Sequence, residues 1–222
     1  MPYKIYLSPS MQKHNIYATG NTNEMEQCNK IANSAQTALN RCGFVTKKAP
    51  QGQSMQQNIF ESNTWLPDLH VAIHTNAANG KSDGTLVMIY KNTEKNSAAA
   101  NAIYQTVFNA TPGNTKRAVQ IRTDLAELKS TKSLAVYVEC EFHDNPAISD
   151  FIINNTEKIG EAIAEGICKY FGKNYILNTT ENADNSTKYK VQIGAFNSKT
   201  NAEKRLTEAK NLGFTDSFIS QE

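Results

Sequence analysis

No apolar run in this 222-residue sequence approaches the ~20 residues that a membrane-spanning helix requires. The start also lacks a charged segment followed by an apolar one. Met1-Pro2-Tyr3-Lys4-Ile5-Tyr6-Leu7 leads directly into strand-like sequence, so no export signal is read there and synthesis in the cytoplasm is expected. Cysteine is sparse: Cys28, Cys42, Cys140 and Cys168 form no C-x-x-C pair, which favours reduced thiols, at least partly buried. Neither sign of charge dominates. The 23 Lys+Arg stand against 21 Asp+Glu with no block of like charge, a balance that gives no reason to expect a nucleic-acid partner. No H-E-x-x-H occurs, so a helical metalloprotease site is excluded.

What remains is the composition of a folded protein. Hydrophobic residues make up 39% and charged residues 20%, which excludes a disordered chain, and the length accommodates one good-sized domain and something smaller. Strands are expected at 3–8, 44–46, 68–75, 84–90 and 134–140. Helices are expected at 24–41, about 55–63, 96–109, and from Pro146 through to Gly172. Alternating strands and helices imply an α/β fold with a mostly parallel sheet flanked by helices, whose ligands bind in loops at the carboxyl ends of the strands. After Lys173 the texture changes. Residues 178–188 are polar and aperiodic, and a strand at 189–193, a helix at 200–211 and a strand at 216–220 make a small βαβ unit. The division is therefore 1–173, a linker 174–188, and 189–222.

Four histidines are present: His14, His70, His74 and His143. His74 leaves the apolar strand into a small polar loop, where such a sheet places a ligand. His70 is four residues earlier, roughly 13 Å away along a strand, too far to share one ion and better read as structural. Glu24 opens the first helix, where a carboxylate is favoured by the helix dipole or serves as an oxygen ligand. Glu139 lies in the apolar run Leu134–Cys140, and a carboxylate there calls for an ion pair or a function. Glu141 and His143 share its parity, which would put three ionisable groups on one face. Two histidines and a glutamate with a second glutamate nearby are the components of a catalytic zinc site.

The pattern of strand, loop and Glu24-helix, the strand ending His74-Thr75-Asn76-Ala77, and Val138-Glu139 followed by Phe142 resembles the zinc-dependent N-acetylmuramoyl-L-alanine amidases of the amidase-3 family. The resemblance covers residues 3–172. It implies a phosphorylase/zinc-exopeptidase-like sheet, one zinc ion, Glu24 and His74 as ligands and Glu139 as the catalytic glutamate. The substrate implied is peptidoglycan, an anionic polymer that a mildly basic surface suits. The family's D-P-G-H reads Ser8-Pro9-Ser10-Met11 here, and thioether is a poor partner for hydrolytic zinc. His14 is the natural substitute as third ligand and His143 the competitor. Asn76, Glu141 and His143 are candidates for substrate or supporting contacts, Asn76 either orienting substrate or closing its loop.

Residues 189–222, with Tyr189-Lys190-Val191-Gln192-Ile193-Gly194-Ala195-Phe196, resemble part of the sporulation-related repeat, which binds septal peptidoglycan. So small a unit is expected to need a partner, and pairing of two copies into a homodimer is one solution. The expected role is cleavage of the muramyl–L-alanine amide after release by lysis, as in a phage endolysin or an autolysin. A zinc exopeptidase of free peptides and a catalytically inactive wall-binding protein are the alternatives.

Overall fold

The computed structural model describes residues 2–178, 192–214 and 217–219. The chain divides into two compact units, 1–178 and 179–222.

The first unit runs β1 (Lys4–Pro9), α1 (Glu24–Arg41), β2 (Val45–Lys48), α2 (Met55–Trp65), β3 (Leu69–Asn76), β4 (Leu86–Ile89), α3 (Glu94–Ala110), β5 (Val119–Ile121), α4 (Ala126–Ser130), β6 (Ala135–Phe142), α5 (Pro146–Asn154) and α6 (Thr156–Tyr170). The strands form one sheet in the order β2-β1-β3-β6-β4-β5. Neighbouring pairs are parallel except β4 and β6, so the sheet is mixed, with β4 and β5 reversed relative to the other four. The central strands are apolar on both faces because both are covered. The edge strand β2 carries Lys47 and Lys48, which discourage pairing with another chain.

One face of the sheet packs against α1, α3 and α6. In α1 the stripe Cys28, Ile31, Ala32, Ala35, Ala38 and Leu39 is buried, each large member stabilising by roughly 1.5–3 kcal/mol. Asn23 caps the helix by accepting from the Glu26 amide, and Gly43 ends it at φ +77°, a conformation that resists a Cβ. Helix α6 wedges between its neighbours through two glycines. A Cβ on Gly160 would lie 2.5 Å from the Ile31 carbonyl oxygen, and one on Gly166 would lie 2.6 Å from Ile103 Cα.

The single helix expected from Pro146 to Gly172 is two. Asn155, at φ −131°, bonds its side-chain amide to the Phe151 carbonyl and interrupts the ladder. Two elements without sequence expectation, β5 and α4, are three and five residues long, too short to show a period. Together with α2, α4 covers the second face of the sheet, where Ala72, Leu86, Met88, Leu128, Ala135 and Tyr137 form a smaller apolar cluster.

In the second unit a helix, α7, spans Lys199–Asn211. The expected flanking strands are absent at 192–193 and 217–219; their remaining residues, 189–191, 216 and 220, and linker positions 179–188 lie outside the described residues. Among the described residues no helix is long and apolar enough to cross a membrane. All four cysteines are buried and free.

Candidate active site

The carboxyl ends of β3 and β6 meet the first turn of α1 and the loop that follows β1. His74, the sixth residue of β3, is buried on the face covered by α2 and α4. Its Nδ1 donates to Glu24 Oε1 at 2.7 Å, and its ring lies on that of Tyr137 with centroids 4.3 Å apart. Glu24 reaches it because the N-terminus of α1 points at this corner of the sheet. The other Glu24 oxygen accepts from Asn15 Nδ2 at 2.6 Å. Burial pushes the Glu24 carboxyl up, but the bonds from His74 and Asn15 outweigh it and hold the group below its ordinary range.

Glu139 pairs with His74 across the β3–β6 ladder. Its Oε2 is buried without a hydrogen-bond partner among the described residues. Burial raises this carboxyl and the Glu24 charge adds to the effect, while His74 opposes it; the result is a pKa of about 7. A carboxyl poised there exchanges protons readily near neutrality.

The expected single face of Glu139, Glu141 and His143 does not exist. In the β3–β6 register His74 faces Glu139 but Asn76 faces Phe142, so β6 carries one extra residue between them. This bulge reverses the alternation that parity assumes. Glu141 turns toward β4 and accepts from the amides of Gly84 at 2.7 Å and Gly113 at 3.0 Å, tying two loops together. His143 lies on the opposite face, stacked on Tyr17 at 5.0 Å with its Nδ1 3.0 Å from the Thr75 carbonyl oxygen. Asn76 accepts from the Ala77 amide through its own side chain and closes the loop after β3.

His14 is exposed in the loop after β1. The residues of that loop that meet the Glu24–His74 pair are Asn15 and Gln12, whose Nε2 is 3.4 Å from His74 Nδ1. Met11 turns its sulfur to Asn58, 3.5 Å away. His70 is fully buried, its Nδ1 bonded to Ser62 Oγ at 2.9 Å, the structural role expected of it.

Sequence reasoning missed Glu127. This buried carboxylate in α4 takes a hydrogen bond from Ser8 Oγ and lies 3.3 Å from His70 Nε2. Its second oxygen is 3.7 Å from His74 Nε2. The one available signal was a carboxylate between Leu125 and Leu128, but five helical residues show no apolar stripe to mark it as buried. Burial alone would raise Glu127, yet His70 and His74 hold it at about 2, and Glu127 with Glu24 lifts His74 to about 10 against its burial.

The charge at this corner suits a cation, since Glu24, Glu127 and Glu139 surround one imidazole. Glu24 and His74 fit as two adjacent oxygen and nitrogen donors. Glu127 cannot join them on one ion, because it addresses the other ring nitrogen. Among the described residues no three His, Cys, Asp or Glu side chains gather as a metal-binding group, so the fit is to a pair.

The family model described as N-acetylmuramoyl-L-alanine amidase matches residues 5–169, and that for the SPOR domain matches 178–222. The chain belongs to the N-acetylmuramoyl-L-alanine amidase family. Its activity is hydrolysis of the amide between N-acetylmuramic acid and L-alanine in peptidoglycan. Solved structures of the same fold include the CwlD amidase of Clostridioides difficile in complex with the GerS lipoprotein, at 20% identity and TM-score 0.68, covering 77% of this chain and 98% of that one. The catalytic domain of the amidase CwlV from Bacillus (Paenibacillus) polymyxa var. colistinus matches at 15% identity and TM-score 0.69, with 77% and 98% covered. The amidase AmiC2 of Nostoc punctiforme matches at 16% and 0.69, with 77% and 97% covered. These identities carry the fold and not the details of the site. No curated protein matches the chain.

Proposed function

We propose that Glu139 is the proton-transfer residue of this amidase and that Glu24 and His74 hold its zinc ion, one per chain. The observation that carries the reading is the buried, partnerless Oε2 of Glu139 across from His74. A carboxyl with a pKa of about 7 takes a proton from the attacking water and returns it to the leaving amine of L-alanine. When bound, zinc supplies Lewis acidity to the scissile carbonyl. Glu24 and His74 provide two of the protein ligands such a site normally has. The third is assigned to the loop after β1, where His14 is the nitrogen donor and, being exposed, is free to turn. Tyr137 supports the His74 ring from one side, and Asn76 closes the loop that bounds the site.

The SPOR match supports attachment to peptidoglycan by the second unit. Its Ile193, Leu212, Phe214 and Phe218 are exposed, an apolar surface that a second copy would cover, giving a homodimer. The same reading has the enzyme meet the wall after release by lysis. The experiment is Glu139→Gln assayed on purified peptidoglycan. Release of stem peptides should fall at least a thousandfold with zinc content retained; wild-type release would remove Glu139 from the reaction.

A further inference from the structure

We propose that Glu127 is a positioning residue for His74, fixing which way the imidazole faces so that Nδ1 is presented beside Glu24. The functional meaning rests on the zinc reading above; the positioning itself does not.

Stacking on Tyr137 sets the plane of the His74 ring but not its sense. A half-turn about the Cβ–Cγ bond would keep the stack and exchange each nitrogen for a carbon. In the sense observed Nδ1 meets Glu24 Oε1 at 2.7 Å and Nε2 has Glu127 in front of it, 3.7 Å from Oε2, so Glu127 favours that sense from the nitrogen Glu24 does not address. That is within ion-pair range and longer than a hydrogen bond.

Glu127 is itself immobilised. Its Oε1 accepts a hydrogen bond from the Ser8 hydroxyl and lies 3.3 Å from His70 Nε2. Ser8 in turn accepts from Asn58 Nδ2 at 3.0 Å, and His70 is pinned by Ser62 and by stacking on Tyr6 at 5.3 Å. Ser8, Asn58, Ser62, His70 and Glu127 are all buried. The carboxylate therefore cannot swing from His74 without stranding several buried polar groups. A carboxylate on the far nitrogen of a ligating histidine is a recurrent way to fix ring orientation and tautomer, and losing one lowers metal affinity by roughly 10–100-fold.

The test uses the full chain with ¹⁵N-labelled histidine. In the wild type, His74 Nε2 should carry a proton protected from exchange; an unprotonated Nε2 would overturn the proposal outright. Zinc affinity, measured by competition with a chelator, should fall 10–100-fold in Glu127→Gln and stay within threefold in His70→Gln, although both lower the melting temperature. Unchanged affinity in Glu127→Gln, or an equal loss in His70→Gln, would reduce Glu127 to a structural partner of His70 and defeat the proposal. If the wild-type chain takes up no zinc, the zinc reading fails, and the Nε2 proton still decides the role of Glu127.

Discussion

Glu139 stands directly opposite His74 in the β3–β6 ladder with one carboxylate oxygen buried and unpartnered. Such a group works against the fold once it ionises. Its folded pKa of about 7 lies above the ordinary value of 4.5, so between those values the native state binds more protons than the unfolded one. Stability therefore falls as pH rises through that window, and the penalty is complete above pH 7. In chelator-treated protein, Glu139→Gln should be more stable than wild type at pH 8 by on the order of 3 kcal/mol, with the gap closing below pH 5. Denaturant titrations at the two pH values measure it. Wild-type activity should rise through about pH 7 as the base ionises.

On the proposed zinc reading, three substitutions decide the third ligand. Zinc affinity should drop by at least tenfold in His14→Ala and remain unchanged in His143→Ala, whose ring packs on Tyr17 away from the pair. A loss confined to Gln12→Ala would instead put that amide, 3.4 Å from His74 Nδ1, in the third position.

Glu141 is predicted to matter for folding and not for chemistry. Its carboxylate satisfies the Gly84 and Gly113 amides in a buried setting. Glu141→Ala strands both donors and should lower stability by roughly 2–5 kcal/mol. At a temperature where the variant is folded, zinc affinity should match wild type. Lost metal binding with an unchanged melting temperature would contradict this assignment.

Association is tested by sedimentation of the full chain beside a version ending at Asn178. The full chain should be dimeric at micromolar concentration and the shorter one monomeric. A monomeric full chain would rule out pairing through residues 179–222.

The sequence displayed the large elements because their periods are long enough to read. Helix α1 was legible in the spacing of Cys28, Ile31, Ala35 and Ala38, and β3 in the run that ends at His74. The pair Glu24–His74 was legible only through the family resemblance, since the residues alone left Glu24 between a helix-dipole partner and an oxygen ligand. What escaped was local. A short helix hid the burial of Glu127, Asn155 divided one apparent helix, and the reversal of β4 and β5 leaves no mark in composition because both directions need the same apolar residues.

The bulge in β6 lets one strand address two environments. Before it, alternate residues face α2 and α4 and deliver Glu139 to His74; after it, the same parity delivers His143 to Tyr17. The strand thus behaves as two half-strands out of phase, joined at Cys140 and Glu141. Deleting one residue there would shift all that follows by one position, turning His143 from its stack and Glu141 from its two amides while leaving Glu139 in place. The active corner and the loop anchor are accordingly separable along a single strand, and either can change in sequence without forcing a change in the other.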